Sequence, residues 1–84
     1  MKKFRIYYSS GVNWTCEAKS LRRAMWLATR CQSYACRNDI GWRYQSIEIY
    51  EYTAKGNMRS KPVARKEPMG ITWKKYNTKP IKEA

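Results

Sequence analysis

The chain has 84 residues, 18 Lys and Arg, 6 Asp and Glu, and no His, for a formal net charge of +12. That length suits one small domain, and a hydrophobic fraction of 43% is enough for a core and too much for a wholly disordered chain. Without His there is no imidazole base and no His metal ligand, which excludes most familiar hydrolase and metalloenzyme designs.

A charge of this size lies well beyond the magnitude of ~2–8 suited to small soluble domains, and it opposes compactness by self-repulsion. A polyanion relieves it. Nucleic acid or a nucleoprotein complex is therefore the leading partner class, ahead of an anionic membrane and an acidic protein. The charge is uneven: residues 1–53 carry a net +5 and residues 54–84 a net +7. No apolar h-region follows Met1-Lys2-Lys3, and no apolar run approaches ~18 residues, so the expected location is the cytoplasm, with no membrane contact. Cys16, Cys31 and Cys36 are an odd number of thiols, which does not suggest a disulfide framework.

Residues 3–8 alternate, with Phe4, Ile6 and Tyr8 on one side and Lys3, Arg5 and Tyr7 on the other. Ser9-Ser10-Gly11 is turn chemistry, and residues 12–18 alternate again, so an antiparallel hairpin is expected. The period then changes. Leu21, Ala24, Met25, Ala28, Cys31 and Ala35 recur at helical spacing, with Ser20 as N-cap and Asn38-Asp39-Ile40-Gly41 as the stop. Residues 42–53 read as one long strand, with Ile47 and Ile49 toward the helix and Tyr44, Glu48, Tyr50 and Tyr52 on the other face.

From residue 54 to about 68 the pattern fades into a basic loop. Residues 70–76 form a candidate fourth strand, with Ile71 and Trp73 as its apolar face. Residues 77–84 read as a polar basic tail. The expected fold is α+β: a small antiparallel sheet of three to four strands with one helix packed on one face, in the order ββαβ(β). Residues 1–76 make up the single domain.

Three features could carry function. At roughly 100° per residue, Arg22, Arg23, Trp26, Arg30 and Arg37 fall opposite the apolar helix stripe. Arginine grips phosphate with a planar fork, and an exposed Trp stacks on a base or anchors in a protein pocket. The plainer reading is a solvated helix face with Trp26 folded against the sheet. The second feature is the run Lys55, Arg59, Lys61, Arg65 and Lys66, which reads as a flexible cationic loop that follows a phosphate backbone. Its plainer reading is solubility. The third is the set Tyr7, Tyr44, Tyr50 and Tyr52, either a stacking platform or cross-strand packing, with packing favoured.

Metal binding is not expected, because Cys31 and Cys36 are five apart on a helix and Cys16 cannot complete a four-ligand site. Buried free thiols are the expectation. A catalytic Cys would lack a base, and no nucleotide-binding motif is present. No enzyme activity and no cofactor are expected.

The strand Phe4-Arg5-Ile6-Tyr7-Tyr8, the segment Glu-Ala-Lys-Ser-Leu-Arg-Arg-Ala at 17–24 and the segment Ser-Ile-Glu-Ile-Tyr-Glu at 46–51 resemble short reading frames of bacteriophages and mobile elements. Small phage anti-CRISPR proteins are similar in setting one helix, begun by an Ala-x-Ser-Leu-x-x-Ala type segment, on a β-sheet. The resemblance implies a phage origin and carries over no site residue. The expected function is therefore non-enzymatic binding of nucleic acid or a host nucleoprotein, with inhibition of a host machine such as CRISPR surveillance. The alternative is a protein-interaction module that binds an acidic host surface, with Trp26, Tyr50 and Tyr52 as anchors. An exposed edge strand leaves room for a dimer.

Overall fold

The computed structural model describes residues 1–70 and 72–76. Strands β1 (Lys2–Tyr8) and β2 (Asn13–Ala18) form the expected hairpin, with Phe4 opposite Cys16 and Ile6 opposite Trp14. Two bonds close its turn: Tyr8 N–H donates to the Val12 carbonyl and Gly11 N–H to the Tyr8 carbonyl, each at 2.9 Å. Gly11 sits at φ +97°, a backbone conformation that L side chains rarely adopt.

Strands β3 (Ile47–Glu51), β4 (Ala64–Lys66) and β5 (Trp73–Lys75) complete a five-stranded antiparallel sheet in the order β2-β1-β3-β4-β5. Among the described residues, five strands replace the expected three or four. The additional one, β4, falls inside the segment read as loop. Isolated, three residues carry no periodic signal; paired, they satisfy the backbone edge that β3 would otherwise leave open.

Alternation sends Phe4, Ile6, Tyr8, Ile47 and Ile49 to one face, where all are buried. Helix α1 (Leu21–Arg30) covers that face through Ala24 and Ala28, both fully buried. Alanine at these two positions lets the helix backbone approach the sheet closely. Tyr8 spans the two layers: its hydroxyl donates to the Ala28 carbonyl at 2.8 Å and accepts from Trp14 Nε1 at 3.2 Å.

The helix is shorter than its apolar period. It ends at Arg30, because Cys31 takes φ −90° and ψ 0°, and a four-residue helix α2 (Gln32–Ala35) resumes beyond. The break lets buried Gln32 turn its amide onto the Trp42 and Gln45 carbonyls, at 2.9 and 3.2 Å. Gln45 in turn donates to Asp39 Oδ2 at 2.5 Å. These bonds hold residues 42–44 in a 3-10 turn, so the expected long strand begins only at Ile47. Tyr44 consequently leaves the sheet and lies exposed. Ile71 and the expected tail at 77–84 lie outside the described residues.

Candidate nucleic-acid interface

Helix α1 begins at Ser20, whose Oγ accepts from Arg23 N–H at 3.2 Å. The first turn holds Arg22 and Arg23 and no acid. Two basic groups here oppose the helix dipole, so they are placed against local electrostatics. With Ala24 and Ala28 turned inward, Trp26 lies about 200° around the helix from each and faces solvent. It is 47% exposed. The plainer reading, with Trp26 folded against the sheet, is not what the helix shows.

The arginines organise around this ring. Arg23 Cζ lies 4.2 Å from the Trp26 ring centroid and Arg30 Cζ 5.3 Å from it. A guanidinium stacked on an indole keeps its in-plane N–H donors free for an anion. Arg22 is exposed one residue before Arg23. Among the described residues, no carboxylate forms an ion pair with Arg22, Arg23 or Arg30.

Arg37 lies beyond α2 and is held differently. Its Cζ is 4.6 Å from the Tyr34 ring and its Nη1 donates to the Tyr34 carbonyl at 3.0 Å. Arg43, which the sequence reading placed within a strand, stacks on Trp42 at 5.4 Å and is exposed. It joins the same basic helical layer. A long-strand reading hid it, because the 3-10 turn has no alternation of its own.

The second cationic group divides in two. Lys55, Arg59 and Lys61 lie in the β3–β4 connection. That connection is an ordered turn: Thr53 N–H donates to the Asn57 carbonyl at 2.8 Å, Gly56 takes φ +85°, and Tyr52 bridges to Met58. The expected flexible loop is thus corrected, because backbone pairing continues past the end of β3. Arg65 and Lys66 belong to β4 and point to opposite faces. Lys66 pairs with Ile47 and faces the helices, beside a cleft that also involves Thr29, Gln32, Trp42 and Arg43. Arg65 stands opposite Glu48, on the face away from α1. Its Nη1 is 3.5 Å from Glu48 Oε2 and its Nε 2.8 Å from Glu67 Oε1. The ten expected residues therefore do not form one surface.

The face away from the helices carries Tyr7 and Tyr50 in edge-to-face contact, with ring centroids 5.5 Å apart. Tyr52 accepts from Arg5 Nε at 3.0 Å, and Lys3 Nζ sits 4.6 Å from its ring. Acidic and basic residues mix here: Lys3, Arg5, Arg65 and Lys74 share this face with Glu17, Glu48 and Glu67, and Arg59 lines a cleft with Tyr7, Glu48 and Tyr50. The tyrosines here are interlocked across strands, and the α1 arginines around Trp26 lie on the other side of the sheet.

Burial pushes the Cys16 and Cys36 thiols up from their ordinary value. Cys36 alone is buried; Cys16 and Cys31 are only partly so, which corrects the expectation of three buried thiols. Among the described residues no His, Cys, Asp or Glu cluster could hold a metal, and no helix is long and apolar enough to cross a membrane. Comparison with protein families, curated proteins and solved structures found no significant match.

Proposed function

We propose that this chain is a non-enzymatic domain that binds nucleic acid or a nucleoprotein complex through the exposed stripe of α1. Arg22, Arg23 and Arg30 grip phosphates and Trp26 packs on a base or sugar. In the phage setting that the resemblance implies, such binding would obstruct a host nucleic-acid machine such as CRISPR surveillance. Arg37 and Arg43 extend the basic surface around α2.

The observation that carries this reading is the exposed Trp26 ring between Arg23 and Arg30, with no acid paired to either among the described residues. Seven residues separate the two arginines, about 10 Å along the helix. That length spans roughly three nucleotides of duplex axis. Two phosphate contacts and one ring contact thus lie within reach of a single short segment.

The test is Arg23→Glu with Arg30→Glu. Both side chains are exposed, so the melting temperature should hold while affinity for nuclease-free purified RNA or DNA falls at least roughly tenfold, as expected for the loss and reversal of charge-assisted phosphate bonds. Unchanged affinity would remove α1 from the site. Tight binding to one purified acidic protein, with none to bare nucleic acid, would favour the protein-interface alternative.

A further inference from the structure

Among the described residues, strand β2 is one edge of the sheet. Its hydrogen-bonding phase follows from the turn. Tyr8 N–H bonds the Val12 carbonyl, and in an antiparallel pair every second residue bonds its partner. Trp14, Cys16 and Ala18 therefore spend their backbone groups on β1. The N–H and C=O groups of Asn13, Thr15 and Glu17 point away from the sheet, and all three residues are exposed.

A cleft of about 380 Å³ opens beside this edge, between β2 and the α1–α2 break. Its lining is apolar and aromatic: Val12, Trp14, Cys31, Tyr34 and Ala35, with Asn13 at the strand. Arg37, stacked on Tyr34, marks its rim. At the far end of β2 a second cleft brings Lys19 and Arg23 together with Glu17, Ala18 and Ser20. Open backbone groups, an apolar slot and a cationic end thus lie along one edge.

We propose that the β2 edge accepts an extended acidic segment of a partner protein as a sixth strand. An apolar side chain of that segment enters the Val12–Trp14–Tyr34 cleft, and an acidic side chain meets Lys19. Trp14 and Ala18 are four residues apart on the helix-facing side, about 13 Å at strand rise. The recognised segment therefore carries its apolar and acidic residues four positions apart. Backbone bonds supply affinity and the two clefts supply the sequence preference. A second copy of this chain is the disfavoured occupant, because each copy brings a net charge of +12. The acidic contact is assigned to Lys19 and not to Arg23, so this proposal and the arginine-stripe reading can fail separately.

The probe is a fluorescent ten-residue β-prone peptide with Leu and Glu four apart, compared with the same peptide carrying Lys for Glu. The Glu peptide should bind at least roughly tenfold tighter, and it should slow hydrogen exchange at Asn13, Thr15 and Glu17. Thr15→Pro removes one outward N–H without taking a bond from β1, since proline is tolerated at an edge. It should abolish binding. Lys19→Glu, remote from that backbone bond, should reverse the Glu–Lys preference even if Thr15→Pro fails to fold. Equal binding of the two peptides, no binding of either, or dimerisation through β2 in sedimentation would each overturn the proposal.

Discussion

Tyr8 joins the sheet to the helix: its hydroxyl donates to the Ala28 carbonyl at 2.8 Å, near the point where α1 ends. The acceptor lies in the last turn of α1, where helix carbonyls begin to lack intrahelical partners. The phenol therefore acts as a cap delivered from the middle of the core. Tyr8→Phe keeps the ring and removes the bond, and should lower stability by about 1–3 kcal/mol, the cost of leaving buried polar groups unpaired. Chemical denaturation checks this directly.

The same hydroxyl gives a pH signature. Burial pushes the Tyr8 phenol from 10.0 up to about 12. The unfolded chain loses this proton near the ordinary value and the folded chain holds it. The contribution is complete below pH 10 and disappears as pH rises through about 12. A difference between wild type and Tyr8→Phe that shrinks over this interval is the expected result. A difference that grows with pH contradicts the assignment.

Ala24 and Ala28 set the distance between helix and sheet, and both are fully buried. Ala28→Leu adds three carbons where the interior has no room. Overpacking of this kind costs about 1–3 kcal/mol. Thermal melting should show the loss. A neutral result would mean that the helix rides further from the sheet than the Tyr8 bond requires.

Much of this architecture is legible in the chain itself. The hairpin shows as two alternating runs about Gly11, and α1 as a period of three to four that runs on to Ala35, past the break at Cys31. The arginine stripe is legible for the same reason, since helical spacing alone places Trp26 opposite Ala24 and Ala28. What stays hidden depends on register. Ala64-Arg65-Lys66 becomes a strand only by pairing with β3, and Arg65 loses its availability to Glu48, 17 residues earlier. Trp42 and Tyr44 have strand propensity, yet buried Gln32 and Gln45 fix residues 42–44 in a tight turn. Tertiary bonds outrank local preference there.

Tyr7 and Tyr50 contribute to stability on the face away from the helices. A double-mutant cycle with Tyr7→Ser and Tyr50→Ser should return a coupling of about 0.5–1.5 kcal/mol, the range for aromatic pairs. Neither substitution should change nucleic-acid affinity. A large affinity loss from either would move the interface to the opposite side of the sheet.

Trp26→Ala should leave the melting temperature nearly unchanged, because the ring is 47% exposed. It should weaken binding to single-stranded RNA or DNA by about 1–3 kcal/mol, the worth of one base–aromatic stack. Fluorescence anisotropy reads both forms of nucleic acid in the same titration. A loss of stability with affinity intact would assign Trp26 to packing.

The most direct measurement is the salt dependence of binding to a bare duplex, for wild type and for Arg23→Gln with Arg30→Gln. Neutralising two phosphate contacts should flatten the slope of log affinity against log salt by about 2. Identical slopes, or no binding of the wild type at low salt, would contradict the central claim that the α1 arginines grip a nucleic-acid backbone.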